Sequence, residues 1–193
     1  GTEAFGFKGG IGTASRSVPS EHGGYKVGVL AQTNFGGVLQ IDGVPVGEEL
    51  GQHYMDGTYE QQPGGSCMII VATDAPLTSR NLERLAKRAT FGLARTGGIA
   101  SNGSGDYAIA FSTHPKLRME NSSNDITREE IVMRNDNLSP IFMAAIEATE
   151  EAIINSLFAA TDLQGYQKHS VDALPVSKVL EIMKQFGHEV ENR

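Results

Sequence analysis

Six consecutive apolar residues, Cys67-Met68-Ile69-Ile70-Val71-Ala72, follow directly on Gly64-Gly65-Ser66. A continuous run of that length, bounded by turn residues, is the pattern of a strand buried on both faces. Upstream, residues 42–65 are rich in Gly, Pro, Gln, Glu and Tyr and poor in aliphatic side chains. That composition predicts an exposed linker with no packing duty. The chain is thus expected to pass from a tether into the middle of a sheet within two residues, with the Ser66 hydroxyl at the mouth of the strand.

Other elements can be placed around this strand. Residues 6–16 read as a glycine-rich turn region, and Tyr25–Ala31 and Gly37–Ile41 as two short strands of a hairpin. Pro76 and the cap candidates Thr78 and Ser79 open a helix with Leu82, Leu85, Ala86, Ala89 and Leu93 on one face, ended by Gly97-Gly98. Tyr107–Ser112 reads as a further strand, and 114–137 as a polar loop or arm. Ser139-Pro140 starts a long helix reaching Ala160, apolar on more than one face, as burial between layers or against another subunit requires. A last helix, Pro175 to Phe186, presents Val176, Val179, Leu180 and Met183 and stops at Gly187. Together these predict one α+β domain in layers, with helices covering both sides of a largely antiparallel double sheet.

Composition removes several classes of function. A net charge of −7 opposes nucleic-acid binding, and no stretch is apolar enough to cross a bilayer. Cys67 is the single cysteine, and the five histidines lack the i,i+4 spacing of a helical zinc site, so no metal is expected. Gly9-Gly10-Ile11-Gly12 lacks the Gly-Lys-Ser/Thr ending of a phosphate loop; these glycines are expected to allow close backbone packing near the active site. Lys8 and Arg16 either orient substrate or pair with local carboxylates, Asp74 is expected to cap the helix after Pro76, and Cys67 to face the core as a small hydrophobe. Glu147, Glu150 and Glu151 read as a solvated or intersubunit helix face. The chain starts at Gly1 without an initiator Met and is expected to be a fragment or processed product, which leaves open cytoplasm or periplasm.

The Gly65–Ser66 bond has two readings on its own residues. Gly-Ser before a strand is ordinarily a turn. It is also what a self-cleaving nucleophile needs: the hydroxyl attacks the preceding carbonyl, the ester hydrolyses, and a free α-amine remains beside the hydroxyl. Such an amine, with a pKa near neutrality, can serve as general base for its own Oγ.

Five blocks bear on the choice: Phe5-Gly6-Phe7-Lys8-Gly9-Gly10-Ile11-Gly12-Thr13-Ala14-Ser15-Arg16, Val27 through Gly36, Ser66 through Leu77, Ser101-Asn102-Gly103-Ser104-Gly105-Asp106 leading to Thr113, and Ala145 through Ala152. In order and spacing they resemble the family of L-aminopeptidase/D-amino-acid esterases and β-peptidyl aminopeptidases, made as one precursor and cleaved autocatalytically into α and β chains. The resemblance implies a four-layer αββα sandwich of the N-terminal-nucleophile-hydrolase type. It makes 1–65 the C-terminal part of the α chain and 66–193 the β chain. It further implies that Ser66 is the nucleophile, freed by cleavage after Gly65, and that Asn34 donates to the oxyanion. Ser104 then bonds near the nucleophile and its amine, and Asp106, where some relatives carry Glu, completes the relay. Implied partners are short peptides, amides or esters with a free amino terminus, the sister chain of the same precursor, and further copies in a homo-oligomer, with no cofactor. The rival readings are an N-acetyltransferase of the ornithine-biosynthesis type, which uses Thr where this chain has Ser66, and a non-catalytic structural homologue.

Overall fold

The computed structural model describes residues 2–55, 65–119, 126–127 and 129–189. Its centre is a four-stranded sheet of β3 (Ile11–Ser17), β4 (Lys26–Asn34), β5 (Ser66–Thr73) and β6 (Tyr107–Ser112), in that order, preceded by a small hairpin of β1 (Glu3–Ala4) and β2 (Phe7–Lys8). The β3/β4 and β4/β5 pairs are antiparallel, but β5 and β6 run parallel. Parallel neighbours need a crossover, and helix α2 (Ser79–Arg95) supplies it. The sheet is therefore mixed, antiparallel in two of its three pairings as expected and parallel in the third. Helix α3 (Ser139–Phe158) lies across β3 and β4 and against α2, which covers β5 and β6.

Each helix forms for a local reason. The Thr78 side chain accepts the Asn81 N–H at 3.3 Å and caps α2, the role expected of Thr78 or Ser79. Asp74 is not that cap: its Oδ1 accepts the Lys26 N–H at 2.7 Å, joining the ends of β4 and β5. In α3, Pro140 falls in the first turn, and Ile141, Ala145, Ala148, Ala152, Ile153 and Leu157 are fully buried between the sheet and α2. The carboxylates of Glu147, Glu150 and Glu151 are paired within the chain. Arg16 from β3 pairs with Glu147 and Glu151, and Arg95 from α2 with Glu150.

Three expectations change. The segment read as a turn region at 6–16 is mostly strand. On β3 the positions facing α3 are Gly12, Ala14 and Arg16, too small or too polar to register as a strand pattern. A Cβ on Gly12 would stand 1.9 Å from the carbonyl oxygen of Ala152, so this strand and helix can meet only over a bare backbone. Gly37–Ile41 is not the hairpin partner of β4; it makes isolated bridges, Gly37 to Gly98 and Ile41 to Val44. The stretch after Asp42 is packed in its first part: Val44 and Val46 are buried, and α1 (Val46–Glu49) lies near α4 (Val176–Gln185), whereas Met55 is exposed. The rest of the expected linker, 56–64, and part of the polar loop, 120–125 and 128, lie outside the described residues.

Strand β5 also departs from burial on both faces. Cys67, Ile69 and Val71 are buried under the helices, while Met68 and Ile70 are exposed on the opposite face. Tyr107 and Ile109, 64% and 59% exposed, extend that open face onto β6. The hairpin Leu163–Gln164 (β7) with Ser170–Val171 (β8) precedes α4.

Candidate active site

The residues singled out in the sequence meet at one end of the sheet. Ser66 opens β5 and Asn34 closes β4, and the two are direct partners in the antiparallel register. Direct cross-strand partners project from the same face, here the open one, since Cys67 and Thr33 on either side turn toward the helices. Asp106 sits just before β6, level with the same end of β5.

Around Ser66 the hydrogen bonds are short in sequence and specific in direction. Ser66 Oγ donates to the carbonyl oxygen of Gly65 at 2.5 Å. The Gly105 N–H donates to that same oxygen at 3.0 Å. One residue on, the Cys67 N–H donates to Asp106 Oδ1 at 2.8 Å. Ser104 Oγ lies 3.0 Å from both carboxylate oxygens of Asp106, and its N–H closes a turn onto the Ser101 carbonyl at 2.8 Å. Asp106 therefore ties the Ser104 turn to the strand at Cys67, the residue after Ser66. The Asp side chain is long enough for both contacts.

Asn34 is oriented from the other side. Its Oδ1 accepts the Glu3 N–H at 3.1 Å. A backbone amide can only donate, so the side-chain atom facing Glu3 must be the oxygen, and Nδ2 is left as the donor. Glu3 is held by a two-residue turn at Phe5-Gly6 joining β1 to β2, with φ of 55° and 79°. The left-handed Phe5 is pinned there by a 2.9 Å bond from its N–H to the Phe35 carbonyl and by edge-on packing of the two rings, with centroids 5.1 Å apart.

The neighbouring thiol is chemically silent. Burial, with the Asp106 carboxylate adding to it, pushes Cys67 up to about 12, so it stays protonated near neutral pH. Lys8 Nζ donates to the Gly9 carbonyl at 2.5 Å and to Thr2 Oγ1 at 3.4 Å, and Arg16 is engaged with α3; neither pairing brings it to Ser66. Among the described residues no group of three or more His, Cys, Asp or Glu side chains is placed to hold a metal ion.

Two contributors carry no sequence signal. The Gly105 N–H and the Glu3 N–H are backbone donors, and a residue type does not announce where its amide will point. The hint was only positional, Gly105 lying between Ser104 and Asp106.

The sequence profile of peptidase family S58 matches residues 1–171. The chain belongs to peptidase family S58. This S58 chain is 45% identical over 199 residues to the β-peptidyl aminopeptidase BapA of Sphingosinicella microcystinivorans, an alignment covering 96% of the chain and 50% of that protein. Among solved structures it is similar to the PH0078 protein of Pyrococcus horikoshii OT3, with a TM-score of 0.86 at 48% identity, covering 97% of the chain and 51% of its counterpart. It is also similar to the L-aminopeptidase D-Ala-esterase/amidase of Ochrobactrum anthropi, with a TM-score of 0.84 at 35% identity, covering 97% and 51%. The S58 chain thus spans about half the length of these relatives. Its mixed sheet and flanking helices match the four-layer αββα sandwich of these homologues, of which the described residues contribute one sheet and the helices on one of its faces.

Proposed function

We propose that this chain carries the cleavage bond and the nucleophile of a self-processing serine aminopeptidase acting on short peptides, amides or esters with a free amino terminus. The observation that carries the reading is the placement of Ser66 Oγ on the Gly65 carbonyl, 2.5 Å from its oxygen, with Asn34 directly across the ladder. The relatives' names, β-peptidyl aminopeptidase and L-aminopeptidase D-Ala-esterase/amidase, support the substrate class.

In this reading the Gly65–Ser66 bond breaks first, making residues 1–65 the end of an α chain and 66–193 a β chain. The new α-amine of Ser66 then takes the proton from its own Oγ, which attacks the carbonyl of the substrate's N-terminal residue. Negative charge develops on that carbonyl oxygen, and Asn34 Nδ2 is the donor that meets it. Asp106 and Ser104 hold the strand end and the amine in place, and water releases the acyl group from Ser66. The paired chains are expected to assemble into a homo-oligomer.

Ser66→Ala in the whole protein tests this. The variant should remain one chain and lose at least about 10⁴-fold in hydrolysis of amino-acid p-nitroanilides, the scale of losing a nucleophile. Appearance of two chains, or retained hydrolysis, removes Ser66 from the role.

A further inference from the structure

Self-cleavage and substrate hydrolysis place their developing charges on different oxygens. In the first, the charge falls on the carbonyl of Gly65, which belongs to the protein itself. We infer that the backbone N–H of Gly105 is the oxyanion donor of the self-cleavage step, a role distinct from that of Asn34 in turnover; this rests on the self-processing reading above.

Among the described residues, two hydrogen bonds reach the Gly65 oxygen. One comes from Ser66 Oγ at 2.5 Å, the other from Gly105 N at 3.0 Å. The first is lost as the reaction begins, because the same Oγ must turn from the oxygen to the carbon. The Gly105 N–H is the donor that stays. It is fixed in advance: Ser104 before it is closed onto Ser101, and Asp106 after it holds the Cys67 N–H, one residue past the bond to be cut. A donor anchored to both sides of the scissile bond needs no reorganisation when charge appears, which is the condition for a large electrostatic effect. A Cβ at 105 would meet Ser66 Oγ at 3.5 Å, an ordinary contact, so the donor's position does not depend on glycine at 105.

In the step itself, the bond from Ser66 Oγ to the Gly65 carbonyl carbon forms and the carbon–nitrogen bond to Ser66 breaks. The hydroxyl proton ends on the Ser66 nitrogen. Water then adds across the ester, leaving the Gly65 carboxylate on one chain and the Ser66 hydroxyl and amine on the other. The Gly105 N–H donates throughout and is not consumed.

The test replaces the 105 amide by an ester, through incorporation of glycolic acid at that position in the whole protein, which removes the N–H and little else. Cleavage is followed by intact mass against time, with circular dichroism to verify folding. The ester variant should cleave about 10²–10³-fold more slowly than the natural chain, while Gly105→Ala, which keeps the N–H, stays within several-fold. Hydroxylamine, which captures an ester intermediate, should not restore the rate, because the slowed step precedes the ester. Cleavage of the folded ester variant at the natural rate, or its full rescue by hydroxylamine, overturns the inference while leaving the self-processing reading intact. Cleavage of Ser66→Ala would instead sink that reading. If the ester variant does not fold, a crystal structure of the Ser66→Ala precursor decides: Gly105 N within hydrogen-bond reach of the Gly65 oxygen supports the inference, and a separation beyond about 3.5 Å overturns it.

Discussion

On the helix side of β5, Cys67, Ile69 and Val71 are sealed beneath α2 and α3, where β3 meets α3 without even a Cβ between them at Gly12. On the other side of the same strand, Ser66 leads a row with Met68 and Ile70 that the described residues leave open, and Asn34 stands opposite Ser66. Neighbouring residues of one strand thus serve unlike ends. Where β3 meets α3 at Gly12 the covered face tolerates no added volume, because the packing there is backbone against backbone. The open face holds the polar groups that can meet a reacting carbonyl, at the end of the sheet where hydrogen bonds from β1 and from the turn before β6 converge. Substitutions on the two faces should therefore separate chemistry from stability.

The largest effect after loss of the nucleophile is expected at Asn34. Asn34→Leu should lower kcat by about 10²–10³-fold with a small change in melting temperature. Asn34→Asp keeps an acceptor for the Glu3 N–H but has no donor, and should be as inactive; recovery with Asp would mean that the residue acts only by position. Next comes Asp106→Asn, expected to cost about 10²-fold in both cleavage rate and kcat, with Asp106→Glu recovering most of it. Equal loss in both variants would favour a purely structural role. On the covered face, Gly12→Ala should destabilise the fold by about 1–3 kcal/mol by overpacking against Ala152, measured by denaturant titration, with kcat per folded molecule unchanged.

The smallest effect is one of pH. The folded-state pKa of the Cys67 thiol lies above its ordinary 9.0, at about 12, so the fold favours the neutral form. The resulting contribution to stability is complete below about pH 9 and is lost as pH rises toward 12. Cys67→Ala should flatten the decline of unfolding free energy across that window, whereas superimposable pH profiles would show that this thiol does not couple to folding.

The sequence was legible where one residue type reported one face. Helix α2 follows from its apolar spacing and Thr78, α3 from Ser139-Pro140, and β6 from Tyr107–Ser112. It misled where packing is done by small or polar residues: Gly12, Ala14 and Arg16 hide the strand β3, and the Gly- and Glu-rich surroundings of Val44 and Val46 conceal a buried segment. The apolar run of β5 looked buried on both sides because an open apolar face and a buried one have the same composition. At the site, matching blocks pointed to Ser66, Asn34, Ser104 and Asp106, and the structure brings these residues to one end of the sheet. The amides of Glu3 and Gly105 became visible only when the backbone had a course.

The most direct measurement is the intact mass of the purified whole protein beside its Ser66→Ala variant. Two chains divided between Gly65 and Ser66, with masses that sum to the precursor plus one water, are predicted for the first, and a single chain for the second. A natural protein that stays in one piece yet hydrolyses amino-acid amides would contradict the account.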